Sequence, residues 1–311
     1  MPSREQLEQH HAWVSGELGW QRQLRLLQAL WREEQQLPIG MHPRAGDERR
    51  PLGSRIALPD AQETLGNYLT DTIRTVLQEE LASATAGQKL FSAPRIFDDL
   101  LSSQPLCFNL FGELKADLSL ATAWGHHLWP DRVERVTRLE FEHSPGRGDA
   151  SYLGNRTAFD VYLEHTTADG GQGFIGIEVK YHESLRVDPA ETRERTSEVA
   201  QRSGLFSERD WPALSRPPLQ QVWFDHLLAL SMLQTDAERW DGNGLFVFLH
   251  PVANLASYRV VNRYESCLQR PAYFQRLTLE EVVAALRLID HSPWIDQFEH
   301  RYLTYSKVQR A

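Results

Sequence analysis

Asp160, Glu178 and Lys180 are the residues whose types and spacing could do chemistry together. They lie in the stretch 156–183, RTAFDVYLEHTTADGGQGFIGIEVKYHE. Two carboxylates held side by side repel one another unless they are protonated or neutralised. A Mg²⁺ or Mn²⁺ ion neutralises them, takes hard oxygen ligands and leaves room for water and a phosphate oxygen. The carbonyl of Val179 is a candidate third ligand. Lys180 could orient or deprotonate an attacking water, or offset charge in a pentavalent transition state.

The elements that must position these groups are two strands and a turn. Ala158, Asp160, Tyr162 and Glu164 alternate with Phe159, Val161 and Leu163. On the next segment Phe174, Gly176, Glu178 and Lys180 alternate with Ile175, Ile177, Val179 and Tyr181. Period-two alternation puts each set on one face of its strand. The midpoint of 160 and 178 is 169, inside the turn sequence Asp169-Gly170-Gly171, so symmetric pairing sets Asp160 opposite Glu178. The competing interpretation is an amphipathic hairpin with cross-strand ion pairs on a solvated face. Phe174 and Gly176 on the same face argue against it.

Composition bounds the setting. With 41% hydrophobic and 24% charged residues over 311 positions, the chain can bury a substantial core. No apolar run approaches the roughly 18 residues that span a bilayer, so no membrane partner is expected. The N-terminus lacks the apolar core of a signal peptide, and a cytoplasmic location is expected. A net charge of -9 argues against indiscriminate coating of nucleic acid but leaves room for a nuclease with clustered basic residues. Cys107 and Cys267 read as buried thiols. His126 and His127, read as lying in a short connector, lack an acid or cysteine at ligand spacing, and no P-loop, H-E-x-x-H or G-x-S-x-G motif is present.

Around the hairpin the pattern reads as helices, three strands, helices, a central strand, another strand, then helices: an α/β arrangement. Residues 4–35 and 60–81 carry helical stripes, and 36–58 reads as a connector whose Arg44, Arg49, Arg50 and Arg55 would be solvated. Residues 94–120 read as short helices, with Glu113 on one that packs against the sheet. Residues 133–143 form a strand with Val136, Arg138, Glu140 and Glu142 on one face. Arg147 sits in a glycine-rich turn, and Arg156 leads into the hairpin. The run 219–235 is the strongest helix, with Gln220 and Gln221 in its first turn. The unbroken apolar segment 245–251 reads as an interior strand, 257–262 as a further strand, and 278–288 and 293–307 as helices.

Asp160, 17 intervening residues, then Glu178-Val179-Lys180 on successive strands resembles the PD-(D/E)XK nuclease superfamily, and within it a bacterial subgroup. Phe159 stands where the motif has proline, a variable position. The resemblance covers residues 105–265 and implies a restriction-endonuclease-like core: a mixed four- to five-stranded sheet flanked by helices. Residues 1–104 would be a helical N-terminal extension, and 266–311 C-terminal helices packed on the core. It implies that Asp160 and Glu178 bind the metal ion, with Lys180 as the catalytic lysine and Gln221 as the auxiliary glutamine. Glu113, Glu142 and the Val179 carbonyl are further candidates for the metal site, with Glu183 a ligand or a support for one. Arg147 and Arg156, together with Arg138, are candidates for contact with the substrate. The implied activity is Mg²⁺- or Mn²⁺-dependent hydrolysis of nucleic acid, DNA favoured over RNA. The alternative is an inactive nuclease-fold protein that serves as a binding or assembly module.

Overall fold

The computed structural model describes residues 1–43, 50–84, 89–185 and 190–310. Seven strands are present among these residues: β1 Ile39–Met41, β2 Pro51–Ile56, β3 Arg135–His143, β4 Phe159–Thr166, β5 Gln172–Val179, β6 Gly244–His250 and β7 Phe274–Thr278. The last five form one mixed sheet in the order β3-β4-β5-β6-β7. The β3-β4-β5 part is an antiparallel meander, while β6 runs parallel to both β5 and β7. Parallel neighbours need a crossover. Between β5 and β6 it is made by the helices Glu194–Ser203 and Gln220–Thr235.

Both faces of the sheet are covered, which is why its inner strands are apolar without a break. Leu245, Val247 and Leu249 of β6 face one core, with Val161, Leu163, Ile175 and Ile177. That core is closed by the helices Ser103–Ala116, Leu118–Leu128, Leu279–Ile289 and Pro293–Tyr302. Phe246 and Phe248 face the other core, with Tyr162 and Phe174, beneath the helices Gln220–Thr235 and Leu255–Glu265. Helix Gln220–Thr235 is apolar nearly all round because it lies buried between the sheet and the helices outside it.

The hairpin has the expected register. Val161 pairs with Ile177 and Thr166 with Gln172, centring the turn on residue 169. Gly170 lies in the left-handed region at φ +85°, where a side chain is disfavoured. Strict alternation breaks at two places. A register shift between Val136 and Arg138 turns Val136 inward, into the core with Leu139 and Phe141, rather than outward with Arg138. Phe159 packs in the same core as Tyr162, and its ring lies where a Cβ on Gly176 would be, 2.5 Å away.

Three local expectations are corrected. Residues 257–262 are not a strand but part of the helix Leu255–Glu265. Its buried Ser257, Val260, Val261 and Tyr264 recur at helical spacing, and Asn254 caps it, so the β-branched pair Val260-Val261 misleads on its own. The strand beyond β6 is instead β7. The connector at 36–58 contains the antiparallel pair β1-β2. There Arg55 is engaged by Asp98 at 2.8 Å and Asp99 at 2.7 Å, and Arg50 donates to the Trp13 carbonyl; Arg44 and Arg49 lie outside the described residues. His126 and His127 sit in the last turn of a helix rather than in a connector, and His126 Nδ1 meets the Val133 carbonyl at 2.9 Å.

The N-terminal and C-terminal helices are tied to the sheet through Arg301, which is fully buried. Its guanidinium donates to Gln28 Oε1 at 3.1 Å and to the Asn67 carbonyl at 2.6 Å, and it stacks on Trp31. Gln28 in turn donates to the Tyr181 hydroxyl at 3.0 Å, one residue beyond Lys180.

Candidate active site

The hairpin register and the β3-β4 register share one consequence. Phe141 pairs with Val161, and Val161 with Ile177, so the next row across three strands carries Glu142, Asp160 and Glu178. Asp160 Oδ2 accepts a hydrogen bond from the Val179 amide at 2.8 Å. Glu178 Oε1 accepts from Lys180 Nζ at 2.5 Å and from Gln221 Nε2 at 2.7 Å. Gln221 reaches it from the first turn of Gln220–Thr235, while Gln220 turns away and ties down Ala190 and Ser215. All four residues line one cleft of about 590 Å³.

Burial rejects the solvated-hairpin interpretation. Glu178 is 3% exposed and Lys180 8%, far from the surface ion pairs that such a face would hold. Burial first, and then the charge of Glu178, pushes the Asp160 carboxyl up to about 8. Glu178 is also raised by burial, against the pull of Lys180. For Lys180, burial opposes the charge, but Glu178, Asp160 and Glu183 outweigh it and hold the ammonium protonated. As an ammonium the lysine can orient water and offset charge.

The remaining candidates divide. Glu142 lines the cleft at φ +50° and accepts from Gln104 Nε2 at 2.6 Å; burial, then Asp160, raises it to about 7. Glu183 uses its carboxylate to accept the amides of Ser103, Tyr181 and His182 at 2.8, 3.0 and 3.1 Å, clamping the end of β5 to the start of helix Ser103–Ala116. Glu113 is not brought to the cleft. It lies on the same helix but in a separate depression, accepting from Thr70 Oγ1 at 2.5 Å, because the side of the helix that meets the cleft carries Ser103 and Gln104. Arg156 lines the cleft, together with Arg95 and Arg193. Arg147 does not: its guanidinium nitrogens are sealed from solvent without a hydrogen bond, next to the charges of Glu142 and Arg156. Arg138 is held in ion pairs with Glu140 and Glu164, away from the cleft.

Sequence reasoning did not single out Gln104, Arg95, Arg193 or Asp225, all of which line the cleft. Only Asp225 left a signal: an acid in an otherwise apolar helix.

Among the described residues no group of three or more histidine, cysteine, aspartate or glutamate side chains is arranged to hold a metal ion. The pair Asp160 and Glu178 nonetheless fits a hard divalent cation. Both are buried carboxylates, close enough that the charge of Glu178 raises Asp160, and among the described residues their hydrogen bonds use only Oδ2 and Oε1, which leaves an oxygen on each for a ligand.

A mixed sheet with helices on both faces, and a carboxylate-lysine cleft at the end of its meander, define a restriction-endonuclease-like protein. The chain matches the family model of the PD-(D/E)XK nuclease superfamily over residues 15–304 and belongs to that superfamily. The match extends well beyond residues 105–265, taking in most of the N-terminal helices and the C-terminal ones. No curated protein and no solved structure matches the chain. No helix among the described residues is long and apolar enough to cross a membrane.

Proposed function

We propose that this protein is a divalent-cation-dependent phosphodiesterase acting on nucleic acid, with DNA favoured over RNA. The observation that carries the proposal is the convergence of Asp160, Glu178, Lys180 and Gln221 on one cleft, in a chain of the nuclease superfamily. Asp160 and Glu178 would hold Mg²⁺ or Mn²⁺, with the Val179 carbonyl beside them and Glu142 next in the row. When bound, the cation would polarise the scissile phosphate and lower the pKa of a bound water. Lys180 orients the attacking water and offsets charge that develops on the phosphate. Gln221 fixes the Glu178 carboxylate. Arg156, with Arg95 and Arg193 on the same cleft, faces the phosphate backbone.

The test is Mg²⁺-dependent cleavage of DNA and RNA by the wild-type chain, Asp160→Asn and Lys180→Ala. Asparagine keeps an acceptor for the Val179 amide, so the fold is spared while the charge is lost. Each variant is expected to cleave at least about 10²-fold more slowly. Undiminished cleavage by both would sink the proposal, and an inert wild type would leave the binding-module alternative.

A further inference from the structure

Asp225 lines the cleft but has no part in the chemistry above. It lies one helical turn beyond Gln221, on the same face of helix Gln220–Thr235. It is 4% exposed, and its Oδ2 is sealed from solvent without a hydrogen-bond partner. The charges that act on it are those of Glu178, Lys180 and Asp160. The next residue, His226, engages the Tyr264 hydroxyl at 2.8 Å and offers it nothing. A buried carboxyl group without a partner is costly to fold, and a leucine of the same branched shape would carry no such cost.

Lys180 shows what such an acceptor is for. An ammonium carries three donors, and Lys180 gives one to Glu178 Oε1, an oxygen that also serves Gln221. A cation drawn to the Glu178 carboxylate competes with Lys180 for the same charge. The displaced ammonium then needs another acceptor inside the cleft.

We propose that Asp225 is a positioning residue that receives the Lys180 ammonium when Glu178 turns to a cation, keeping the lysine charged and beside the scissile phosphate. The inference rests on the phosphodiesterase reading and adds to it a partner exchange by Lys180.

The test is Mn²⁺ binding by calorimetry to the full chain, in five forms: wild type, Asp225→Leu, Asp225→Asn, Lys180→Met and the Asp225→Leu/Lys180→Met double variant. Asp225→Leu is expected to bind Mn²⁺ about tenfold more weakly, because Lys180 then stays on Glu178. In the Lys180→Met background the same change is expected to leave Mn²⁺ affinity unaltered. Asp225→Asn, which keeps an acceptor oxygen, is expected to recover part of the loss. Asp225→Leu should melt at or above the wild-type temperature, which a purely structural role would not allow. Equal Mn²⁺ affinity in wild type and Asp225→Leu overturns the inference, as does an equal loss in both backgrounds or a marked fall in melting temperature. No Mn²⁺ binding by wild type overturns the phosphodiesterase reading and this inference with it, whereas binding without coupling to Lys180 overturns this inference alone.

Discussion

Asp160 Oδ2 accepts the amide of Val179, 2.8 Å away on the neighbouring strand. The side chain thus takes a hydrogen bond at the point where the β4-β5 ladder runs out after Val161 and Ile177. That contact ties the Asp160 carboxylate to the backbone of the strand that carries Glu178. The carboxylate pair is therefore built into the backbone of the sheet rather than resting on side-chain packing alone.

Gln221 has a comparable hold on Glu178, at 2.7 Å. Gln221→Ala is expected to lower the cleavage rate about 10- to 100-fold, the range for losing a partner that orients a ligand. Because Gln221 is only half-buried, its melting temperature should stay near wild type. A full-rate Gln221→Ala enzyme would show that Lys180 alone orients Glu178.

Arg156 is exposed on the cleft, where a phosphate contact would add affinity without touching the chemistry. Arg156→Gln should raise KM severalfold with kcat unchanged. It should also reduce the slope of log affinity against log salt by about one. Binding titrations at a series of salt concentrations measure this, and an unchanged slope would remove Arg156 from the substrate path.

Gly176 is opposite Tyr162, and a Cβ on it would lie 2.5 Å from the Phe159 ring. Gly176→Ala should cost about 1–3 kcal/mol in urea unfolding, the range for overpacking. Most of that cost should disappear when Phe159 is shortened to leucine. Additive losses in the double variant would mean that the ring is not the obstacle.

Glu17 ties the N-terminal segment to the residues that follow β5. It accepts from Arg25 Nε at 2.9 Å and stands 3.1 Å from His182 Nε2. Burial alone would raise its carboxyl, but His182 and Arg25 outweigh burial and hold it at about 2, against an ordinary 4.5. A folded-state value below the unfolded one means that the stabilisation is present in full above pH 4.5 and is lost as pH falls toward 2. Glu17→Gln should therefore melt several degrees below wild type near neutral pH, with the gap closing below pH 4.5. A gap independent of pH would assign the loss to packing.

What the sequence determined by itself is local and periodic. Alternation and the Asp169-Gly170-Gly171 turn were enough to place Asp160 beside Glu178, since a hairpin's register follows from its turn. Gln221 was legible as the opening of a strongly apolar helix. The tertiary structure decided what depends on the direction of a helix face or on contacts distant in sequence. Glu113 and Gln104 share a helix, and only its rotation against the sheet shows that Gln104, not Glu113, meets the cleft. The run 257–262, expected as a strand, is helix, and the strand beside β6 falls later at Phe274–Thr278, because burial at helical spacing overrides a short run of β-branched residues. Arg147 looks in sequence like a free arginine in a glycine turn, and burial beside Glu142 takes it off the surface. Asp225 stood in plain view as an acid in an apolar helix, but its relation to Lys180 arises only when that helix is laid across the end of β5.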